Sequence, residues 1–274
     1  MRSFIEFKLL PTLHQTLKES GFHKPTEIQA RTIPLILSGQ AVVGVAETGS
    51  GKTLSYALPL LNKLKQIELE KRHVQVDSTP SAVVIVPTRE LGEQVSKVFK
   101  TFTHLTRLRV RPALGGMAFE QCRRNVSGTF EILLATPGRL IQLMDQELIH
   151  LSQVQFLVFD EADQMMDQGF LPDSKAIAKA IAKACPPDVQ MILFSATVSK
   201  SVEELAAQLF PETEIIRSSG SGKTVASLKT KNSLVKDGKR WPLFEKIISQ
   251  PRQGGTLIFT NTREQCDALA AQMK

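Results

Sequence analysis

Residues 41–53 read Ala41-Val42-Val43-Gly44-Val45-Ala46-Glu47-Thr48-Gly49-Ser50-Gly51-Lys52-Thr53. An apolar run leads into a glycine-rich segment, and the helix-like pattern Leu54-Ser55-Tyr56-Ala57-Leu58 follows it. A strand, a glycine-rich turn and a helix in this order are the context of a phosphate-binding loop. The backbone N–H groups of such a loop and the positive end of the helix bind anions. The stretch therefore predicts an α/β fold with a phosphate site at residues 46–53.

A second polar segment, Asp160-Glu161-Ala162-Asp163, follows the apolar run Phe156-Leu157-Val158-Phe159. Ligands of open α/β sheets bind at the carboxyl ends of the strands, so these carboxylates should lie beside the phosphate loop. Lys52 would reach the outer phosphates, and the Thr53 hydroxyl and Asp160 would hold Mg²⁺. Glu161 would face the water that attacks the γ-phosphate. Together the two segments predict a Mg²⁺-dependent nucleoside triphosphatase.

Seven apolar runs alternate with helical patterns along the chain. They lie at about 41–46, 81–87, 109–114, 130–136, 154–160, 189–195 and 213–217. Strands rich in Val, Ile and Leu and separated by helices predict a mainly parallel sheet covered by helices on both faces. The polar stretch 66–80 predicts an exposed excursion.

The letters Gly220-Ser221-Gly222-Lys223-Thr224 repeat part of the phosphate-loop formula. They follow Arg217-Ser218-Ser219, and no second acidic strand end comes after them. The two flanking features of a phosphate loop are therefore missing, and we predict that this copy belongs to a linker.

Several blocks resemble the DEAD-box RNA helicases of superfamily 2 in the order of that family. Asp160-Glu161-Ala162-Asp163 is the signature that names the family, and residues 46–53 have its form of the phosphate loop, with Ala46 in place of a glycine. The other similar blocks are the Q motif at Gly21–Gln29 with an isolated aromatic at Phe4, motif Ia at Pro87–Leu91, the paired glycines Gly115-Gly116, motif Ib at Thr136–Arg139, motif III at Ser195–Thr197 and motif IV at Leu257–Arg263.

This resemblance implies a RecA-like P-loop NTPase domain followed by an incomplete second RecA-like domain. Residues 1–30 would be a Q-motif region, 31–217 the ATP-binding domain, 218–231 a linker, and 232–274 the truncated start of the helicase C-terminal domain. The sequence contains no H-R-x-G-R-x-x-R block, the arginine-rich motif that the family places against the γ-phosphate. We therefore expect this chain alone to bind nucleotide but to show little or no RNA-stimulated hydrolysis and no unwinding.

The resemblance also implies an ATP site. Its predicted residues are Phe4, Phe22, Lys24, Thr26 and Gln29 for the adenine and Ala46, Glu47, Thr48, Gly49, Ser50, Gly51, Lys52 and Thr53 for the phosphates. The Gln29 amide can donate to and accept from the adenine edge, and Phe22 can stack on the base with Phe4 behind it. A solvent-exposed Gln29 and core positions for the two rings are the alternatives.

The predicted catalytic residues are Lys52, Asp160, Glu161, Ser195 and Thr197. We expect Asp163 to link the phosphate site to Ser195 and Thr197, whose hydroxyls could relay the state of the nucleotide. Helix capping by these hydroxyls is the alternative.

The predicted RNA contacts fall just after strand ends or at helix starts. They are Pro87, Thr88, Arg89, Gly115, Gly116, Thr136, Pro137, Gly138 and Arg139. Glycines let a sugar–phosphate backbone approach, and helix starts, hydroxyls and arginines bind phosphate, so we expect contacts without base specificity. Arg107, Arg109 and Arg111 alternate along one predicted strand, and we interpret them as a solvated face.

Charge and cysteine content indicate which partners and which kinds of site are compatible with the chain. The net charge is +7, and residues 217–274 hold the whole excess, with 11 Lys and Arg against 4 Asp and Glu. A basic tail suits a nucleic-acid partner, and a solvated linker explains it equally well. Three widely spaced cysteines argue against a disulfide framework and a zinc site. No apolar run is long enough to predict a membrane span. Together these features favour a cytoplasmic protein.

Three classes of function remain open at this point. An ATP-dependent RNA helicase, or its N-terminal part, fits best. The others are a P-loop ATPase that remodels protein and a non-catalytic ATP- or RNA-binding module, with a DNA-acting relative as a weaker variant of the first. Stimulation of hydrolysis by RNA, compared with DNA, separates them.

Overall fold

The protein is described by a computed structural model that covers residues 3–71, 76–185, 189–211, 213–219, 231–235, 240–251 and 254–273. The chain divides into two compact units, Met1–Lys223 and Thr224–Lys274. The repeat at 220–224 lies outside the described residues, so its assignment to a linker stays a prediction.

The first unit is built on a seven-stranded parallel sheet, which confirms the predicted α/β fold. The strands are β1 (Val42–Val45), β2 (Ala82–Ile85), β3 (Val110–Ala113), β4 (Ile132–Ala135), β5 (Phe156–Phe159), β6 (Gln190–Ser195) and β7 (Ile215–Arg217). Their order is β3-β4-β2-β5-β6-β1-β7, and every neighbouring pair runs parallel. The carboxyl ends of all seven strands therefore share one edge of the sheet.

Helices cover both faces of this sheet. One layer holds α1 (Pro11–Glu19), α2 (Glu27–Leu37), α3 (Lys52–Lys71) and α4 (Arg89–Thr106), and the other holds α5 (Phe119–Val126), α6 (Pro137–Asp145), α7 (Ala162–Asp167), α8 (Leu171–Ala184) and α9 (Lys200–Leu209). Because side chains alternate along a strand, Val84 joins the core under the first layer while Val83 and Ile85 join the core under the second. No described helix is both long and apolar enough to cross a bilayer.

The described residues 3–30 pack into the first core together with the rest of the unit. Phe4, Leu13, Leu17 and Ile28 are buried there beside the side chains of α3 and α4. The predicted Q-motif region is therefore not a separate body in this structure. Its boundary with the ATP-binding domain stays a proposal based on sequence motifs.

Strand β3 lies at one edge of the sheet, and its sequence explains why. Pro112 has no N–H to donate to a second neighbour, and Arg111 is exposed, so the strand suits a position with one partner only. Arg107 and Arg109 are exposed as expected but precede the strand: Arg107 ends α4 in the left-handed conformation, and Arg109 forms an ion pair with Glu131.

The polar stretch 66–80 is less irregular than predicted. Helix α3 continues to Lys71, and Thr79 and Pro80 are buried beside β2. Residues 72–75 lie outside the described residues. A surface helix buries only one face, and its other residues can be polar. The polar sequence after residue 66 was therefore compatible with a longer α3.

The second unit contains two described helices, α10 (Arg240–Ile248) and α11 (Arg263–Gln272). The sequence from Ser233 onward predicts a strand, a helix, a strand and a helix in this order, and both helices are present. Neither of the two predicted strands is formed by the described residues of this unit, where Leu257 and Phe259 are 78% and 85% exposed. A strand requires hydrogen bonds to a neighbour, and no strand ladder is formed by the described residues of this unit.

Gly92 lies in the first turns of α4, where a glycine costs about 1 kcal/mol of helix propensity relative to alanine. A Cβ atom at this position would lie 2.4 Å from Cδ2 and 2.7 Å from Cδ1 of Leu114, which is itself buried. The glycine therefore allows the end of β3 to pack directly against the backbone of α4.

We predict that Gly92→Ala lowers the free energy of unfolding by about 1–3 kcal/mol, because overpacking outweighs the gain in helix propensity of about 1 kcal/mol. In a Leu114→Ala background the same change should be neutral or stabilising, since the space is then free. Urea unfolding of the four proteins gives the coupling between the two sites. An equal cost of Gly92→Ala in both backgrounds would contradict the packing explanation.

Candidate functional site

The phosphate loop connects β1 to α3 at the shared strand edge. Gly49 and Gly51 have φ angles of +83° and +92°, which L side chains rarely adopt. Lys52 begins α3, and its side chain is nearly buried. Its Nζ donates to the Ala46 carbonyl oxygen and to Glu161 Oε2, both at 2.9 Å. The Lys52 side chain is thus held inside the site by the first residue of the loop and by Glu161, and it does not extend into solvent.

The remaining residues of the loop differ in exposure. Thr48 and Gly49 are exposed, Ala46 is fully buried, and Glu47 and Thr53 are partly exposed. The Ser50 hydroxyl is buried and has no hydrogen-bond partner among the described residues. A buried hydroxyl without a partner is costly, and an anion in the loop would provide one.

Asp160 follows β5 and is only 3% exposed. Its Oδ2 accepts a hydrogen bond of 2.8 Å from the Tyr56 hydroxyl, and its Oδ1 accepts one of 3.0 Å from the Glu161 backbone N–H. Burial raises the pKa of Asp160 to about 6, against the lowering effects of the Tyr56 hydrogen bond and of Lys52. Burial, followed by the charge of Asp160, raises the pKa of Tyr56 well above its ordinary value.

Glu161 has a left-handed backbone conformation, with φ +54° and ψ +51°, at the residue that precedes α7. A residue with a Cβ adopts this conformation at a cost of order 1 kcal/mol or more, and such residues concentrate at functional sites. The carboxylate is turned toward Lys52, so Lys52 and Glu161 form a buried ion pair at 2.9 Å. The sequence predicted both residues for this site, and the structure brings them into contact.

Asp163 connects the acidic segment to the end of β6. Its Oδ2 accepts from the backbone N–H and the hydroxyl of Thr197 at 2.9 and 2.8 Å, and its own N–H donates to the Ser195 hydroxyl at 3.1 Å. Although burial raises the pKa of Asp163, hydrogen bonds from Thr197 and Ser195 hold it below the ordinary value. The predicted contact between Asp163 and these two residues is therefore present in the structure.

The Q-motif residues meet the phosphate loop from α2. Thr26 and Gln29 form a reciprocal cap, in which the Thr26 N–H donates to Gln29 Oε1 at 2.9 Å. The other end of the Gln29 amide donates to the Gly51 carbonyl oxygen at 3.0 Å, and Gln29 is 3% exposed. The side chain is therefore not a solvent-exposed helix residue, which was the alternative. One donor and one acceptor site of its amide stay free for a base.

The two aromatic candidates for the adenine site differ in position. Phe22 is 42% exposed. Phe4 is 3% exposed and packs edge-on against Phe7, which matches the core alternative. Lys24 is exposed, and its role in binding adenine stays a prediction, as do those of the two rings.

A cavity of about 370 Å³ joins these elements. Its lining includes Phe22, Thr48, Gly49, Gly51, Lys52, Thr53, Asp160 and Glu161, and a more apolar part follows α4 through Leu91, Val95 and Val98. The described residues contain no group of three or more His, Cys, Asp or Glu side chains close enough to hold a metal ion. A cation at this site would depend on one carboxylate, hydroxyl groups and the phosphates of a nucleotide.

The predicted RNA residues follow β2, β3 and β4, which are neighbours in the sheet. Two hydrogen bonds join them directly: Arg89 Nη1 to the Gly116 carbonyl oxygen at 3.3 Å, and the Gly115 N–H to the Thr136 hydroxyl at 2.9 Å. Arg139 Nη2 donates to the carbonyl oxygen of Met117, the residue after Gly116, at 2.7 Å. Thr88 caps α4, and Pro137 and Gly138 begin α6. The structure thus brings these residues together at neighbouring strand ends. Pro87, Thr136 and Pro137 are buried there, whereas the others are exposed or partly exposed, namely Thr88, Arg89, Gly115, Gly116, Gly138 and Arg139.

Sequence reasoning missed Tyr56. It lies one turn after Lys52, and the spacing of the motifs gave no reason to choose it over its apolar neighbours. A single tyrosine in a chain with 14 phenylalanines was the available signal, because a buried hydroxyl needs a partner.

Comparisons with known proteins agree with these features. A rice protein, DEAD-box ATP-dependent RNA helicase 24 of Oryza sativa subsp. japonica, is 35% identical over the whole chain, which spans 35% of that relative. RNA helicase CrhR of Synechocystis is 30% identical over 99% of the chain, which spans 53% of that relative. The chain therefore covers between a third and about half of the length of these curated relatives.

Solved structures show the same fold. The crystal structure of a DEAD box protein from Methanococcus jannaschii superposes with a TM-score of 0.69 and 28% identity, over 99% of this chain and 69% of that one. The crystal structure of a hypothetical ATP-dependent RNA helicase from Sulfolobus tokodaii superposes with a TM-score of 0.65 and 33% sequence identity. The match covers 76% of this chain and 56% of that one. The DEAD/DEAH box helicase family profile matches residues 26–205, which contain the phosphate loop, the acidic strand end and Ser195–Thr197. The chain belongs to the DEAD/DEAH box helicase family.

Proposed function

We propose that this chain is the ATP-binding part of an RNA helicase, which binds Mg²⁺-ATP and the backbone of single-stranded RNA and couples ATP hydrolysis to local strand separation. The observation that carries the proposal is the buried ion pair between Lys52 and Glu161, next to Asp160 in one cavity with the phosphate loop. The rice and cyanobacterial relatives are named RNA helicases, and this supports the choice of RNA over protein as the partner.

We infer that ATP binding would break the ion pair between Lys52 and Glu161. A phosphate oxygen in the loop competes with Glu161 for Lys52, because both are anions and the ammonium group is shared. When Lys52 turns to the phosphates, the Glu161 carboxylate loses its cation and can accept a hydrogen bond from water. Binding of the substrate would thus release the residue that orients the attacking water.

The residues of the site fit a magnesium ion. Mg²⁺ prefers oxygen ligands, and Asp160 and Thr53 supply a carboxylate and a hydroxyl beside the loop. Burial has raised the pKa of Asp160 to about 6, and a cation would favour its ionised form. The ion would neutralise charge on the β- and γ-phosphate oxygens. Lys52 and Ser50 would hold the remaining oxygens of the phosphates.

The adenine and RNA contacts follow from the same strand edge. Gln29 would read the base edge while it holds the loop through Gly51. Asp163, Ser195 and Thr197 would carry the state of the phosphate site to the end of β6. The hydrogen-bonded surface of Arg89, Gly115, Gly116, Thr136 and Arg139 would bind the RNA backbone without reading bases.

Glu161→Gln tests the catalytic assignment. The amide keeps the shape of the carboxylate but cannot act as a base, so we expect ATP affinity equal to or above that of the unchanged protein and loss of turnover by at least about 10²-fold. Affinity is measured with a fluorescent ATP analogue, and RNA-stimulated phosphate release in a chain that carries both helicase domains. Glu203→Gln, an exposed change on α9, is the control and should leave both values unchanged. Normal turnover of Glu161→Gln would remove Glu161 from the mechanism, and hydrolysis indifferent to RNA in the unchanged protein would favour the protein-remodelling alternative.

Gln29→Ala tests the adenine assignment. We expect the unchanged chain to bind ADP more tightly than GDP, and the variant to lose this preference and to bind both more weakly, because the bond to Gly51 is also lost. Calorimetric titration gives both affinities. Gln15→Ala, which changes an exposed glutamine of α1, should keep the preference. Equal affinities of the unchanged chain for ADP and GDP would refute the assignment of Gln29 to the base.

A further inference from the structure

Tyr56 is held rigidly next to the phosphate site. It lies in α3, four residues after Lys52, and is fully buried. Its ring centroid is 6.2 Å from that of Phe99 in α4 and 5.9 Å from that of Phe194 in β6. The two rings fix the plane of the tyrosine, so its hydroxyl has a defined position.

The hydroxyl contacts one of the residues assigned to the metal. It donates to Asp160 Oδ2 at 2.8 Å, and Thr53 precedes Tyr56 by three residues in the same helix. The other carboxylate oxygen of Asp160 accepts from the Glu161 N–H at 3.0 Å. Each oxygen is thus held by one donor and keeps a lone pair for a further ligand.

We propose that Tyr56 is a positioning residue for the metal site, whose hydroxyl fixes the Asp160 carboxylate beside Thr53 in the orientation that receives Mg²⁺. This inference rests on the proposed nucleotide function. Tyr56 acts through Asp160 and does not itself touch the nucleotide. The terminal torsion of an aspartate is soft, so a carboxylate with a single donor would have to be ordered when the ion binds.

Packing alone does not account for a tyrosine at this position. A phenylalanine would fill the same space between Phe99 and Phe194, without a hydroxyl to remove from water. Burial of the hydroxyl is compensated by its bond to Asp160, and that bond in turn keeps Oδ2 from being a buried acceptor without a partner.

Tyr56→Phe removes the hydroxyl and leaves the ring. The dissociation constant of ADP is measured by calorimetry on the 274-residue chain, once with Mg²⁺ and once with EDTA. We expect the gain in affinity that Mg²⁺ provides to fall by about tenfold, since a hydrogen bond to a charged group is worth about that factor. The affinity in EDTA should stay unchanged. Mn²⁺ bound in the ADP complex, followed by EPR, should show a matching loss of affinity.

Thr106→Val is the matched control, because it also removes a buried hydroxyl, which donates to the Phe102 carbonyl oxygen in α4, at a residue that does not line the cavity. It should lower the urea midpoint and preserve the effect of Mg²⁺. If Tyr56→Phe retains the full effect of Mg²⁺ seen in the unchanged chain, the positioning role is wrong while the nucleotide site stands. If the unchanged chain binds ADP equally well with Mg²⁺ and with EDTA, the metal assignment falls together with the role of Tyr56. If it does not bind ADP at all, the proposed function itself is refuted.

Discussion

The buried ion pair of Lys52 and Glu161 is the interaction on which the arrangement of the site depends. Removing either charge from water costs several kcal/mol, so each side chain needs an opposite charge or a water molecule beside it in this position. The pair spans from the start of α3 to the end of β5, and the two elements are far apart in sequence. It therefore fixes the phosphate loop against the acidic strand end, and the Ala46 carbonyl oxygen satisfies a second donor of the lysine. A ligand that replaces one partner must supply equivalent charge, which favours phosphate.

The parallel sheet explains why so many polar groups can meet at one place. The core strands are buried on both faces, so functional side chains cannot lie within them and collect instead where the strands end. Neighbouring strand ends then present Lys52, Asp160 and Ser195 to a common cavity or network. The left-handed backbone of Glu161 is tolerated for the same reason: the ion pair and the start of α7 hold the residue from both sides.

The sequence was sufficient to predict parts of the site where a local hydrophobic pattern is followed directly by chemically distinctive residues. An apolar run before Gly49–Lys52 and another before Asp160 predicted both strand ends, and their contact followed from the rule that parallel strands share an edge. It was insufficient where tertiary packing decides. The burial of Phe4 against Phe7, the extension of α3 to Lys71 and the absence of a described strand near Phe259 each depend on neighbours that spacing does not identify. The bond from Tyr56 to Asp160 belongs to the same class, since its ends are 104 residues apart.

The adenine and phosphate assignments are physically connected, although they come from separate motifs. A Cβ atom on Gly51 would lie 2.3 Å from the Gln29 amide nitrogen, so this glycine is required by the close approach of α2 as well as by its φ angle of +92°. The amide that would read the base therefore also holds the loop that would bind the phosphates. From the loop, Lys52 contacts Glu161, and two residues further Asp163 contacts Thr197. Gln29, Lys52, Glu161 and Asp163 are buried, so each of these side chains needs a replacement for any bond that it loses. Under the proposed function, this dependence would carry the occupation of the site by a nucleotide toward the end of β6.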